Sequence, residues 1–323
     1  MKKRATRRSQ RGKRGPFRWL LGLAVCAVLV GMVYAATGRG TETVPGSAAK
    51  TITDTVKKNL HPSEKTPETK TEKPPAKKTE PQQKASPSST TREEGPLAAL
   101  SGQKYHGKLA VIIDDCGYAL DPVRTLTSLP FPFSYAVIPF KPNSSEALSI
   151  IKGSGHIAML HLPMEPVSGG SSETRAVRVG MTAEQIQNYT REAIDSLPGI
   201  QGVNNHQGSK ATSDGPTIRA ALKVIGGDGL FFVDSRTIST SVAEKIARQE
   251  GILTGHNSMF LDNSSDIAAI QERIAEAIKD ADRYGAMIVI CHARPNTAEA
   301  WRRSEAAVKT SGITLVPVTD LLQ

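Results

Sequence analysis

Residues 109–116 read LAVIIDDC, an apolar run that stops at two adjacent carboxylates. Its first five residues are apolar or small and three are β-branched, so the segment predicts a buried strand with Asp114 and Asp115 at its carboxyl end. Two like charges that close raise one another's pKa unless a cation or a hydrogen-bond network neutralises them. The pair points to a metal site or an acid/base site. The plainer alternative is a helix N-cap beside an exposed acid.

Downstream, short apolar runs at 109–114, 133–138, 157–161, 202–204, 230–234, 252–254, 286–291 and 313–316 read as strands. Amphipathic stretches such as 182–197, 216–225, 241–251 and 265–284 lie between them and read as helices. This alternation predicts parallel βα units and one barrel-like α/β domain of seven or eight strands over residues 108–323.

Upstream the composition changes. Residues 1–18 hold nine Lys and Arg and no acid, and residues 19–37 carry no charge. The run WLLGLAVCAVLVGMVYAA is long enough to span a bilayer as a helix, with the basic tail on the cytoplasmic side. A cleaved signal peptide ending near Val33-Tyr34-Ala35 is the competing reading, and either one predicts an exported domain, periplasmic or extracellular. Residues 38–107 are rich in Pro, Lys, Thr, Ser and Glu and read as a disordered tether. The net charge of +10 comes from these regions, because residues 109–323 hold 19 basic against 23 acidic side chains. No nucleic-acid partner is therefore expected. Three cysteines, Cys26, Cys116 and Cys291, exclude a disulfide-rich scaffold and show no paired metal-binding spacing.

In a βα barrel the carboxyl ends of the strands share one mouth. Those ends carry Asp114 and Asp115, then His161 with Glu165, then Asn204, Asn205 and His206, then Asp234, Ser235 and Arg236, then His292. So many polar groups would each need a buried partner if they merely filled a core. They suit hydrolysis at a metal: one carboxylate and two imidazoles to hold Zn²⁺ or a similar divalent ion, a second carboxylate as base, and a further His to protonate the leaving group.

The motifs IIDDCG at 112, GHIAMLHLPME at 155 and VICHARP at 289 resemble those of the polysaccharide deacetylases, carbohydrate esterases that remove acetyl groups from chitin-like and peptidoglycan-like polymers. With NNHQGS, FFVDSRT and FLDN, the stretch 109–323 is more closely similar to the divergent branch of that family. The resemblance implies a deacetylase-type barrel acting on an acetylated glycan, with Asp114 as general base, Asp115 and His161 as metal ligands and His292 as general acid. The family's second ligand His is replaced by Glu165, and the usual Asp after the terminal His is Ala293. His206 or Glu165 is expected to complete the metal shell, with Asn205, Asp234 and Arg236 as further metal or substrate candidates. The other reading is a weak or inactive barrel that binds envelope glycan or protein.

The remaining histidines receive smaller roles. His61 and His106 belong to the tether, His156 is expected to point away from the mouth, and His256 in a Gly-His-Asn turn stays open. Asp262 in FLDN reads as a turn former ahead of a rim residue. Arg236 either orients Asp234, binds an acidic substrate or forms a structural ion pair. Cys116 and Cys291 flank the chemical residues of two strands and read as buried thiols or, in an exported domain, as a disulfide.

Overall fold

The structure is a computed structural model that describes residues 95–100 and 102–323. The basic tail, the apolar run and most of the tether lie outside the described residues, among which no helix is long and apolar enough to cross a membrane.

One parallel sheet organises the domain. Along it run β6 (Thr254–His256), β5 (Phe231–Asp234), β4 (Gly202–Gln207), β3 (Ile157–Met164), β2 (Ser134–Val137), β1 (Lys108–Cys116), β8 (Ala286–His292) and β7 (Met259–Phe260) in that order, and β9 (Thr314–Leu315) pairs beside β1. Eight strands thus follow one curled path, the deacetylase-type barrel anticipated from the sequence. No ladder joins β6 to β7. The segment between them is tied to their neighbours instead, Asn257 N to Asp234 O of β5 (2.8 Å) and Ser258 N to Ile288 O of β8 (2.9 Å), and Thr254 of β6 pairs reciprocally with Gln323 (3.0 Å each way).

Seven helices cover the sheet among the described residues: α1 (Leu120–Thr127), α2 (Ser144–Gly153), α3 (Ala183–Asp195), α4 (Gly215–Gly227), α5 (Ala243–Gln249), α6 (Ile267–Tyr284) and α7 (Pro295–Ser311). Their ends carry local signals. Thr182 and Gln185 form a reciprocal capping box before α3, Asp214 and Asp266 cap α4 and α6, and α7 begins with proline and ends on Gly312 at φ 90°.

Strand alternation divides the core into two layers. Leu109, Val111 and Ile113 of β1 pack outward with apolar helix residues, whereas Ala110 and Ile112 pack inside with Met159, Val233, Ile290 and Val318. Asp114 is in phase with the inner set and so reaches the mouth from within. The same phase carries His161 on β3, Asn204 and His206 on β4, and His292 on β8.

Two details depart from the sequence reading: strand β6 begins two residues later than expected, and β7 has no counterpart in it, while β1 lies directly beside β8. The ladder pairs Ile113 with Cys291 and Asp114 with His292. Cys116 is three residues beyond Cys291's partner, about 10 Å along a strand. Both thiols are free and buried among the outward residues, so no disulfide forms.

Candidate metal and acid/base site

The mouth is a cavity of about 320 Å³ whose wall includes Asp114, Asp115, His161, Asn205, His206 and His292. Alternation alone would turn Asp115 away from it. Its backbone instead adopts φ 61°, the β1–β2 register breaks between Ile113 and Cys116, and the carboxylate swings back among the imidazoles.

Asp115 Oδ1 lies 3.2 Å from His206 Nδ1 and 3.6 Å from His161 Nε2, and the two nitrogens are 3.1 Å apart. The donor atoms of these three residues all fall within 4.8 Å of one another. Asn204 fixes the polarity of the group. Its Nδ2 donates to Asp114 Oδ1 at 2.7 Å, so its Oδ1 accepts from His161 Nδ1 at 2.7 Å. The Nε2 lone pair of His161 is therefore left facing Asp115 Oδ1, which is buried and without a hydrogen-bond partner among the described residues. A carboxylate oxygen and two imidazole nitrogens converging on one point form a donor set that fits a divalent transition metal.

The electrostatics agree. Burial and the neighbouring His206 push the His161 imidazole down to about 3, which keeps it neutral as a ligand must be. Burial raises the Asp115 carboxyl, but His206 and His161 outweigh it and hold the group well below the usual carboxylate range. Asp114 is 1 % exposed, and burial lifts its carboxyl to about 8 against the opposing effects of His292 and Asn204.

Across the β1–β8 ladder from Asp114, Asp262 Oδ1 accepts from His292 Nδ1 at 2.8 Å while Oδ2 accepts the His292 backbone N–H at 2.9 Å and the Thr297 hydroxyl at 2.7 Å. Burial works against the charge on His292, but its bond to Asp262 and the charges of Asp262, Asp114 and Asp115 raise its pKa overall. Phe260 stacks on the His292 ring at 6.1 Å and 12°. The turn reading of Asp262 is therefore corrected: this buried carboxylate from the loop after β7 holds His292, and nothing in the local sequence FLDN announces a partner 30 residues away.

Other candidates sit apart from the cluster. Glu165 spends Oε2 on Val179 N (2.8 Å) and Oε1 on Lys210 Nζ (2.9 Å), which pins the loop after β3. Asp234 is in phase with the outward Phe232, and its oxygens accept from Arg236 N (2.8 Å) and Ser241 Oγ (2.6 Å). Asn205 reaches the cavity wall but uses its amide on Gln207 O and Ser235 N. The exposed Arg236 side chain has no ion pair among the described residues, and its backbone N–H, not its guanidinium, meets Asp234. His156 packs on Tyr135 at 5.0 Å, away from the mouth, and His256 pairs with Glu244 at 2.8 Å.

Residues 111–322 match the family model described as divergent polysaccharide deacetylase. An uncharacterized protein of Haemophilus influenzae is 37% identical over 190 residues, 59% of this chain and 68% of its own length. The Escherichia coli K12 protein YibQ, also uncharacterized, is 34% identical over 226 residues, 70% of each chain. Among solved structures, the uncharacterized protein ATU2773 of Agrobacterium tumefaciens C58 superposes with a TM-score of 0.63 at 19% identity, covering 70% of this chain and 95% of that one, which establishes the shared fold. The match spans every strand end described above, and the chain belongs to the divergent polysaccharide deacetylase family.

Proposed function

We propose that the chain is a metal-dependent hydrolase that removes acetyl groups from an envelope carbohydrate, with Asp115, His161 and His206 holding a divalent ion, Zn²⁺ first among the candidates. The observation that carries this reading is the convergence of those three donors in a cavity also lined by Asp114 and His292, which are register partners on β1 and β8. A divalent ion bound there would supply charge to polarise the acetyl carbonyl and lower the pKa of the attacking water.

The chain's own groups divide the proton work. Asp114, made basic by burial, takes the proton of the attacking water as the new carbon–oxygen bond forms. His292, kept charged by Asp262, gives its proton to the departing amine or alcohol as the acyl bond breaks, releasing acetate. Asn204 ties Asp114 to His161, so the base and a ligand move as one unit. The basic tail and apolar run of the sequence support an exported domain tethered to the membrane.

The test is elemental analysis of protein purified without added metal, followed by acetate release from acetylated amino sugars. One equivalent of metal and metal-dependent release are expected. Substoichiometric metal that Zn²⁺, Co²⁺, Ni²⁺ and Mn²⁺ all fail to restore would overturn the catalytic reading. Glycan binding without release from a broad panel would favour the binding module.

A further inference from the structure

The two imidazoles of the metal site are oriented from different places. His161 gives its second nitrogen to Asn204, a fully buried residue of β4. His206 gives its second nitrogen to a loop: Ser172 Oγ lies 2.8 Å from Nε2, the atom opposite the one that faces Asp115.

Ser172 belongs to the loop after β3, whose two ends are joined to each other. Glu165 N donates to Val177 O at 2.8 Å, and Val177 N donates to Pro163 O at 2.9 Å. Between those ends Ser172 meets β4 twice, through its hydroxyl on His206 and through its backbone N–H on Gln207 Oε1 at 3.3 Å.

The next residue shows what holds the loop there. Glu173 is 7 % exposed, and a buried carboxylate is costly unless it is paired. Two other loops pair it. Tyr118, after β1, donates its hydroxyl to Oε1, and Lys141, after β2, brings Nζ to 2.5 Å from Oε2. Lys141 also lies 4.8 Å from the Tyr118 ring centroid, so the two clamping side chains brace each other. Tyr118, Lys141, Ser172 and Glu173 stand outside the cavity wall and take no part in the proton transfers. A phenol, a cation and a buried acid from three loops thus fix one loop tip, and that tip meets the site at His206 and Gln207.

We propose that Ser172 is the positioning residue of His206 and that Tyr118, Glu173 and Lys141 form the clip that keeps it in place, so that the loop after β3 sets the metal affinity without supplying a ligand. The proposal rests on the hydrolase reading for the ion itself and adds what orders its ligand shell. For His206 Nδ1 to offer a lone pair, the ring proton must sit on Nε2, where it needs an acceptor. Ser172 Oγ is that acceptor. A hydroxyl can also donate. When Nδ1 carries the proton, Ser172 turns its own hydrogen toward Nε2, and the ring keeps its orientation while its proton moves. Partners of this kind set metal affinity by roughly 10–100-fold. Ser172 is exposed, so water takes over part of its role when it is removed, and the lower end of that range applies.

The experiment measures Zn²⁺ affinity by competition with a chromophoric chelator in the wild type, Ser172→Ala, Ser172→Thr, Glu173→Gln and the double variant Ser172→Ala/Glu173→Gln. Ser172→Ala should bind Zn²⁺ about tenfold more weakly. Ser172→Thr keeps the hydroxyl and should bind as the wild type does. Glu173→Gln should bind several-fold more weakly although it touches no ligand, and the double variant no more weakly than Ser172→Ala, because Glu173 acts through Ser172. In the Zn²⁺ form, the His206 Nε2 proton should exchange slowly with water in the wild type and fast in Ser172→Ala, as read by NMR. Metal-free melting temperatures of the two should coincide, which separates positioning from a role in the fold. Equal Zn²⁺ affinity in the wild type, Ser172→Ala and Glu173→Gln, or losses that add in the double variant, would overturn the clip and leave the hydrolase reading standing. Weaker Zn²⁺ binding by Ser172→Ala and Glu173→Gln, with no acetate released by the wild type, would support the clip while the hydrolase reading fell. A wild type that binds none of Zn²⁺, Co²⁺, Ni²⁺ and Mn²⁺ would overturn both.

Discussion

Asp262 grips His292 twice, through the ring nitrogen at 2.8 Å and through the backbone N–H at 2.9 Å, with Thr297 completing the carboxylate's bonds. The family's usual acid after the terminal His is Ala293 here, yet the imidazole still has a buried carboxylate, delivered from the loop after β7. The departure in sequence is thus made good in space.

The pairing sets a pH dependence. His292 is raised above its ordinary 6.5, so its contribution to stability is complete below about that pH and is lost as pH rises through the folded value. Burial raises the Asp262 carboxyl, but His292 and Thr297 outweigh it and hold it below its ordinary 3.8. Its contribution is complete above that value and is lost as pH falls. The pair therefore stabilises most between roughly pH 4 and 6.5. Asp262→Asn should cost about 1.5–3 kcal/mol in that window and less at alkaline pH. In the variant, His292 should titrate lower than in the wild type, because burial then acts without its main partner to oppose it. Proton NMR titration of the histidines checks this; an unchanged His292 midpoint would mean that Asp262 does not set its charge.

The ligand set makes a separate prediction. Replacing Asp115, His161 or His206 by Ala should each lower metal affinity by about a hundredfold or more, since even outer-shell changes cost 10–100-fold. His156→Ala, which removes a ring packed on Tyr135, should not. Glu165→Gln should also keep the metal, because both Glu165 oxygens are committed to Val179 and Lys210. Metal content after dialysis is the measurement. Full loss in Glu165→Gln would restore that residue to the shell.

How far the sequence disclosed this site can be traced residue by residue. The strand ends carrying Asp114, His161, His206 and His292 were legible because apolar runs ending in polar residues give both the element and its direction. Period-two alternation puts Asp234 in phase with Phe232, which packs outward, so ending a strand does not by itself aim a side chain into the mouth. Asp115 runs against its own alternation through a φ of 61°, which no residue type demands. Strand β7 is two residues long, too short for any periodicity to register. Asp262 was hidden for a different reason: its partner is fixed by the folding of β7 against β8, a tertiary relation with no local signature.

Base and ligand should separate on mutation. Asp114→Asn keeps the size of the side chain, and Asp114 stands outside the cluster of converging donors. The variant should bind metal at wild-type stoichiometry and release no measurable acetate, with loss in kcat rather than KM. Undiminished release would assign the base elsewhere.

The cysteines give the last prediction. Cys291 is in register with Ile113, and Cys116 lies three residues further along β1, beyond the break at Asp115. Burial pushes both thiols well above their ordinary pKa, and Cys116 donates to Ile113 O at 3.4 Å. Neutral, buried thiols are poor nucleophiles. Both should resist labelling in the native protein and both should label fully in denatured, unreduced protein, with peptide mass mapping identifying each site. Both thiols are packed beneath the helix layer, so exposing them means lifting helices from the sheet, and native-state labelling should track global unfolding. Labelling of Cys291 well before Cys116 would show instead that the His292 end of β8 opens on its own, which the double hold of Asp262 is expected to prevent.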